Sequence, residues 1–170
     1  ADEVITAFGR TGAWFASPGL DMQPDLVTVA KGLTSGYFPM SACLVSRKVC
    51  EVLYAEEEAD GMFGHGFTTA GHPVAAAVAL ANLDIIEREG LVAHSARTGA
   101  YLLEQLRQKL RGAAHLGEIR GKGLFAGIEF DAEPGARRPF AEPGRISGLL
   151  QQCVVEERVL LRSGHGRVVG

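Results

Sequence analysis

The chain has 170 residues, which is about one domain on the usual scale of roughly 100–200 residues per domain. Hydrophobic residues make up 46% and charged residues 22%, a composition typical of a folded globular protein and not of a disordered one. The 17 Lys and Arg residues against 20 Asp and Glu residues give a net charge of −3, which excludes the basic surface of a nucleic-acid-binding domain.

The first part of the chain has the pattern of an α/β protein. An acidic strand end at 1–5 precedes a glycine-rich turn at 8–12, and short apolar runs predict strands at 26–30 and 40–45. The run at 26–30 is β-branched and nearly all apolar, which is typical of a strand buried on both faces of a parallel sheet. We therefore expect a buried sheet in this part of the chain.

Helices follow these strands. Pro73 predicts the first turn of a long helix that ends at Gly90. Its predicted buried stripe consists of Val74, Val78, Ala81 and Ile85. The remaining predicted elements are a helix at 92–111, a strand at 124–130, a helix at 145–157 and a strand at 159–161. The chain is therefore expected to divide within 90–112 into an α/β part and a smaller α+β layer.

Membrane and secreted classes are disfavoured as well. The longest mostly apolar stretch, 74–83, is far short of the roughly 20 residues that cross a bilayer, and the first residues do not resemble a signal peptide. The three cysteines, Cys43, Cys50 and Cys153, are odd in number and fit neither a disulfide framework nor a zinc site. We expect a cytoplasmic, reducing location and no membrane contact.

Two residues at strand ends are candidates for chemistry. Lys31 directly follows the strand at 26–30, where burial disfavours the ammonium form, and a neutral amine is what imine formation with an aldehyde requires. The alternative is an ordinary lysine that reaches water at a strand exit. The Asp2 carboxylate, also at a strand end, can pair with a protonated ring nitrogen. The alternatives for Asp2 are an N-cap or an ion pair with Arg10.

A third candidate is the glycine-rich segment 64–73, which carries two threonines into a helix start. Backbone amides and hydroxyls that converge at the positive end of a helix dipole suit a phosphate group. The segment does not match the loop of ATP-binding proteins. His65 and His72 have no Cys or Glu at metal spacing nearby, so we predict no metal site.

Pyridoxal phosphate is held in proteins by three kinds of group: an amine that forms an imine with its aldehyde, a carboxylate that pairs with its ring nitrogen, and a hydroxyl-bearing turn that binds its phosphate. The three candidates supply one group of each kind. The segments Asp2-Glu3-Val4 with 8–12, then 25–33, then 66–73 resemble, in this order, the class III pyridoxal-phosphate aminotransferases. The branch that they resemble most is that of the omega-amino acid/amine:pyruvate transaminases. The resemblance covers essentially the whole chain, as the later half of such an enzyme.

The resemblance implies an α/β protein of fold type I, the fold of many pyridoxal-phosphate-dependent transferases. Residues 1–100 correspond to the later part of the large α/β/α-sandwich domain, including the start of the interdomain helix. Residues 101–170 correspond to the α+β small domain, truncated at its end. It also implies a homodimer in which one subunit completes the site of its neighbour.

Carried over to this sequence, the resemblance implies that Lys31 forms the imine with the cofactor and moves the proton in catalysis. Asp2 is implied to pair with the pyridine nitrogen, and Val4 to belong to the cofactor site. Thr68 and the Phe67 amide are implied to bind the cofactor phosphate across the dimer interface.

Arg162 matches the arginine that binds a substrate carboxylate in this branch. A guanidinium can clamp a carboxylate through two hydrogen bonds, although a surface arginine at a strand exit is the alternative. The implied reaction is a ping-pong transfer of an amino group from an amine to a keto acid such as pyruvate. An aminomutase, racemase or decarboxylase of the same fold, or a non-catalytic fragment that binds a partner half, are the other readings that the sequence leaves open.

Overall fold

The computed structural model describes residues 1–57, 64–65, 67–133, 135, 138, 140–142, 145–157 and 168–169. The chain divides into two compact units, Ala1–Ser95 and Ala96–Gly170. The elements in chain order are β1 (Leu26–Val29), β2 (Ala42–Val45), α1 (Arg47–Glu57), α2 (Pro73–Arg88), α3 (Leu91–Lys109), β3 (Leu116–Lys122), β4 (Phe125–Phe130), α4 (Arg145–Glu156) and β5 (Val168–Val169), with short 3-10 turns at Ser17–Leu20 and Lys31–Leu33.

The first unit contains a small sheet around β1. β1 pairs antiparallel with β2, from Leu26 opposite Val45 to Val29 opposite Ala42. On its other side, Asp2 forms a parallel bridge with Thr28. The backbone N–H of Glu3 donates to the Thr28 carbonyl at 2.9 Å, and the Thr28 N–H donates to the Ala1 carbonyl at 3.0 Å. The predicted strand end at 1–5 is therefore observed alongside β1.

The prediction that β1 is buried on both faces is wrong. Val29 is buried and Val27 is partly buried, whereas Leu26 is 48% exposed and Thr28 is exposed. Successive side chains of a strand point to opposite faces, so β1 covers the core with one face. The expected parallel pairing is seen with residues 1–3, but the pairing with β2 is antiparallel.

The core of the first unit lies directly beneath the turn that contains Lys31. Its buried members are Ala7, Val29, Leu33 and Ala79. The partly buried residues packed against them are Phe8, Phe15, Val27, Met40, Ala42 and Leu83. Because Val29 and Leu33 flank Lys31 in the chain, burial of these two apolar side chains stabilises the position of the turn between them.

Helix α2 begins at Pro73, as the sequence predicts, and a left-handed Gly90 (φ +63°) follows its end. The predicted buried stripe is wrong by one position. The buried residues are Ala75, Ala79 and Ile86, while Val74 is 53% exposed. The methyl side chains of Ala75 and Ala79 allow the helix to pack closely, so the larger Val74 does not define the packed face.

The second unit is built around an antiparallel hairpin. β3 and β4 pair from Leu116 opposite Phe130 to Lys122 opposite Phe125, and β5 pairs with β4. The strand predicted at 124–130 is confirmed as β4, and α3 and α4 match the predicted helices within two residues at each end. The predicted strand at 159–161 lies outside the described residues. In the described part of the chain, no helix has both the length and the hydrophobicity needed to cross a membrane.

Helix α3 approaches the β3–β4 turn more closely than any side chain allows. A Cβ atom built on Gly99 would lie 2.1 Å from the carbonyl carbon of Gly123. Real Cβ atoms essentially never come this close to backbone, so either the helix or the hairpin would have to move. A hydrogen at position 99 is therefore a packing requirement of the second unit.

We expect Gly99→Ala to lower the free energy of unfolding by about 1–3 kcal/mol or more, because it overpacks this contact. Gly148→Ala in α4 is the matched control, since nothing lies within 4 Å of its added Cβ. The control is expected to stabilise the protein by about 1 kcal/mol through helix propensity. Urea unfolding of both variants measures the change in the free energy of unfolding. Equal changes in Gly99→Ala and Gly148→Ala would contradict the close approach of Gly99 to Gly123.

Candidate functional site

Lys31 lies where the chain leaves β1, in a backbone conformation that side chains rarely adopt. Its φ is +31°, and it is the first residue of the 3-10 turn Lys31–Leu33. A non-glycine residue with such a φ costs about 1–3 kcal/mol and persists only where its surroundings enforce it. Five other described non-glycine residues also have a positive φ, so the strain supports a functional role for Lys31 only together with its position in the motif.

The prediction that Lys31 is buried is wrong, because it is an exposed residue in the structure. The chain turns away from the strand axis at this residue, and the neighbouring Val29 and Leu33 supply the buried groups instead. Desolvation by this segment therefore does not explain a reactive amine at Lys31. The case for Lys31 depends on its strained turn and on its position in the motif.

The turn that follows Lys31 is held by several contacts. Gly32 packs against Phe8, where an added Cβ would lie 3.1 Å from the Phe8 Cβ. Asn82 of α2 donates through Nδ2 to the carbonyls of Gly32 (2.8 Å) and Leu33 (3.1 Å). The Ser35 hydroxyl donates to Asn82 Oδ1 at 2.7 Å. Asn82 was not predicted as a site residue, although a polar residue of low helix propensity in an alanine-rich helix is a signal that could have identified it.

Asp2 is placed beside the same strand. Its Oδ1 accepts the backbone N–H of Val4 at 3.0 Å, which fixes the carboxylate in a local turn of the capping type. Asp2 bridges Thr28 in parallel, three residues before Lys31. Asp2 therefore lies beside β1, whose last residue, Val29, is two positions before Lys31. Val4 takes part in this arrangement through its backbone N–H, which donates to Asp2.

Glu3 is a buried carboxylate that was not among the predicted site residues. Its Oε1 accepts the Ser17 N–H (2.7 Å) and the Ser17 hydroxyl (2.5 Å), and its Oε2 accepts the Thr6 hydroxyl (2.6 Å) and the Ala16 N–H (2.9 Å). Burial alone raises the pKa of Glu3, but the hydrogen bonds from Ser17, Thr6 and Ala16 outweigh it and lower the pKa to about 2. Glu3 thus ties the segment that carries Asp2 to residues 16–17. Glu3 follows Asp2 directly in the chain, so no local sequence signal distinguished it.

Residues 67–70 of the predicted phosphate segment form an exposed turn before α2. The Ala70 N–H donates to the Phe67 carbonyl at 3.0 Å, Phe67 has a φ of +33°, and its ring stacks on His65 at 4.1 Å. Thr68 lies within this turn and is exposed.

The prediction that backbone amides at the start of α2 contribute to a phosphate site needs correction. His72 is the N-cap of α2, and its Nδ1 accepts the Val74 N–H at 3.2 Å. This first-turn amide is therefore occupied by a side chain, and the phosphate candidates that remain in the segment belong to the turn around Thr68.

Two predictions about the site remain, one on metal binding and one on Arg162. Among the described residues, no cluster of three or more His, Cys, Asp or Glu side chains is arranged to hold a metal ion. Arg162 lies outside the described residues. Its role in substrate binding stays a prediction.

Comparisons with known proteins agree on one family. The profile of the family described as "Aminotransferase class-III" matches residues 1–162. The diaminobutyrate–2-oxoglutarate transaminase of Halomonas elongata is 44% identical over 163 residues, which cover 96% of this chain and 35% of that protein. The putrescine–pyruvate aminotransferase of Pseudomonas aeruginosa is 44% identical over 144 residues, which cover 85% of this chain and 31% of that protein.

The fold is similar to solved structures over nearly its whole length. The omega transaminase from Pseudomonas jessenii, in complex with PMP, matches with a TM-score of 0.91 and 40% identity over 99% of this chain and 37% of that one. The chain therefore spans about a third of the length of the relatives that it matches.

Proposed function

This chain belongs to the class III aminotransferases, and on that premise we propose that the protein transfers an amino group from an amine or omega-amino acid to a keto acid such as pyruvate. Members of this family depend on pyridoxal phosphate and have fold type I, so the predicted fold class and cofactor are confirmed at the level of the family. The assignment of 1–100 to a large domain and of 101–170 to a small domain is part of the proposal.

The observation that carries this proposal is the strained lysine at the end of β1. Lys31 adopts a φ of +31° and is an exposed residue, while Asp2 is held beside the same strand by the Thr28 bridge. An amine, a carboxylate oriented by a backbone N–H and a threonine turn all lie in the first unit. This donor set fits a phosphorylated pyridine aldehyde, because each group has a different and complementary partner on it.

Pyridoxal phosphate, when bound, supplies an aldehyde that condenses with an amine and a ring that accepts the electron pair of the substrate carbon. Lys31 holds and moves the proton at Nζ, which a primary amine can do once it is neutral. The Asp2 carboxylate favours a protonated ring nitrogen through its negative charge, and the Val4 N–H keeps one of its oxygens in place.

The remaining residues of the site bind and orient. The Thr68 hydroxyl and the Phe67 amide hold the phosphate, and Arg162 holds a substrate carboxylate through its guanidinium. The exposure of the Thr68 turn supports a homodimer in which this turn completes the neighbour's site. The described cysteines Cys43 and Cys50 are free thiols, which supports a cytoplasmic location.

Aspartate-to-asparagine substitution provides a test with little change in shape. Asp2→Asn retains the acceptor for the Val4 N–H but removes the charge, so we expect kcat for an amine with pyruvate to fall on the order of a hundredfold. Asp21→Asn is the control, since Asp21 is exposed at the end of the first 3-10 turn. Formation of alanine from pyruvate is the measurement. A loaded, coloured wild-type protein that transfers no amino group to any keto acid would contradict the proposed reaction.

A further inference from the structure

Asn82 is the polar residue that joins α2 to the lysine turn. Its side chain is partly buried, and the three hydrogen bonds that this side chain forms with described residues all lead to the turn. Both carbonyls that it binds, those of Gly32 and Leu33, come immediately after Lys31. The contact through Ser35 Oγ extends the attachment to the far end of the turn.

The turn needs such an external partner because it cannot satisfy its own carbonyls. The 3-10 segment is only three residues long, Lys31–Leu33, so the helical hydrogen-bond pattern ends before the carbonyls of Gly32 and Leu33 find a backbone donor. The segment is also strained, with φ of +31° at Lys31 and +50° at Ser35. A short strained turn holds one conformation only when its surroundings enforce it.

An asparagine suits this position for a chemical reason. Two carbonyl oxygens require a donor with two hydrogens, which the amide Nδ2 supplies, and the Ser35 hydroxyl requires an acceptor, which Oδ1 supplies. An aspartate would place an oxygen against two carbonyl oxygens, and an alanine would leave these carbonyls without their donor. Helix α2 has 16 residues and is anchored in the core by Ala79, so it is a rigid support.

We infer that Asn82 is a positioning residue for Lys31: by fixing the turn from Gly32 to Ser35, it sets the direction in which the Lys31 amine leaves the backbone. This inference rests on the proposed function, in which that amine must meet the cofactor aldehyde and the substrate carbon. Displacement of a reacting group by about 1 Å through a distant residue can cost on the order of a hundredfold in rate.

The experiment compares Asn82→Ala and Asn82→Asp with Asp84→Asn in the protein loaded with pyridoxal phosphate. Asp84 lies on the same helix and forms an exposed ion pair with Arg88, so its loss is expected to have little effect. We expect kcat of both Asn82 variants to fall by about 10- to 100-fold while KM for the amine changes little. We also expect the pH at which the visible absorbance titrates to shift, and the control to match wild type.

A measurement on the protein without cofactor separates positioning from general stability. Hydrogen exchange at the amides of Leu33 and Thr34, which donate to Ala30 and Lys31, is expected to accelerate in the Asn82 variants before global unfolding. Should both variants fail to fold, Ser35→Ala removes only the contact to Oδ1 and is expected to give a smaller shift in the same direction.

The outcomes distinguish this inference from the proposed function. Folded Asn82 variants with wild-type pH titration, wild-type kcat and unchanged exchange at Leu33 and Thr34 would overturn the role of Asn82 and leave the proposed function intact. A wild-type protein in which borohydride does not fix the cofactor on Lys31 would overturn the proposed function and this inference together.

Discussion

Lys31→Ala is expected to abolish the visible absorbance of the cofactor-loaded protein and to reduce amino transfer by at least about 10²- to 10⁴-fold. The substitution removes both the amine that bonds to the cofactor aldehyde and the group that moves the proton at the substrate carbon. Absorbance spectra and an alanine-formation assay measure the two effects separately. Added free amines are expected to restore part of the activity of Lys31→Ala, because they replace the missing proton carrier.

Lys48→Ala is the matched control for this prediction. Lys48 is also exposed in the first unit, but it pairs with Asp25 at 3.5 Å. Its removal costs little, as is usual for exposed ion pairs. Normal colour and turnover in Lys31→Ala, or equal losses in both variants, would contradict the assignment of Lys31.

Glu3→Gln is expected to have the largest effect on stability. The glutamate oxygens accept two hydrogen bonds each, from Ser17 on one side and from Thr6 and Ala16 on the other. A glutamine has one oxygen only, so its NH₂ group would face donors and leave at least one buried N–H unpaired. We expect the free energy of unfolding at neutral pH to fall by about 3 kcal/mol.

The pH dependence of this effect follows from the lowered pKa of Glu3. The pKa of the folded state is about 2 and the ordinary value is 4.5, so the ionised carboxylate stabilises the fold above pH 4.5, and this stabilisation is lost as the pH falls toward 2. The difference in the free energy of unfolding between wild type and Glu3→Gln is expected to decrease by about 2 kcal/mol when the pH is lowered from 7 to 3.

Urea unfolding at the two pH values measures this narrowing, with Glu87→Gln as the control. Glu87 is an exposed residue of α2, and its substitution is expected to change stability by less than about 0.5 kcal/mol at either pH. If the difference in the free energy of unfolding between wild type and Glu3→Gln did not change with pH, the hydrogen bonds would not stabilise the ionised form of Glu3, and the prediction would be contradicted.

Elements that depend on local sequence could be predicted. Pro73 at a helix start, Gly90 after its end and the alternating run that became β4 each carry their signal within a few residues. The order of the three motifs indicated the family, and the family match at residues 1–162 confirms it. Physical chemistry alone allowed an imine-forming lysine, but it did not distinguish that lysine from an ordinary one.

Features that depend on distant contacts could not be predicted. Asn82 lies 50 residues from Gly32, and Glu3 lies 14 residues from Ser17, so neither partner is visible in a local pattern. The exposure of Lys31 was missed for a related reason. An apolar run predicts a buried strand, but it does not show that the backbone turns into a left-handed conformation at the next residue.

β3 was missed because its sequence obscures the alternation of a strand. Gly117 and Gly121 interrupt the side-chain pattern, and Gly117 lies against the buried Asp131 carboxylate, with an added Cβ only 3.0 Å from its Oδ2. Glycine in a strand often marks such a close approach. The pairing with β4 decides the conformation of this segment, and that pairing is a tertiary feature.

Borohydride reduction of the pyridoxal-phosphate-loaded protein, followed by peptide mass spectrometry, tests the central assignment most directly. Reduction converts the bond between the cofactor aldehyde and a lysine amine into a stable secondary amine, so the cofactor mass stays on the lysine that formed the bond. We expect that mass on the peptide that contains Lys31 and on no other lysine. Detection of the cofactor mass on Lys48 or Lys122, or on no peptide at all, would contradict the assignment of Lys31 as the lysine that bonds to the cofactor.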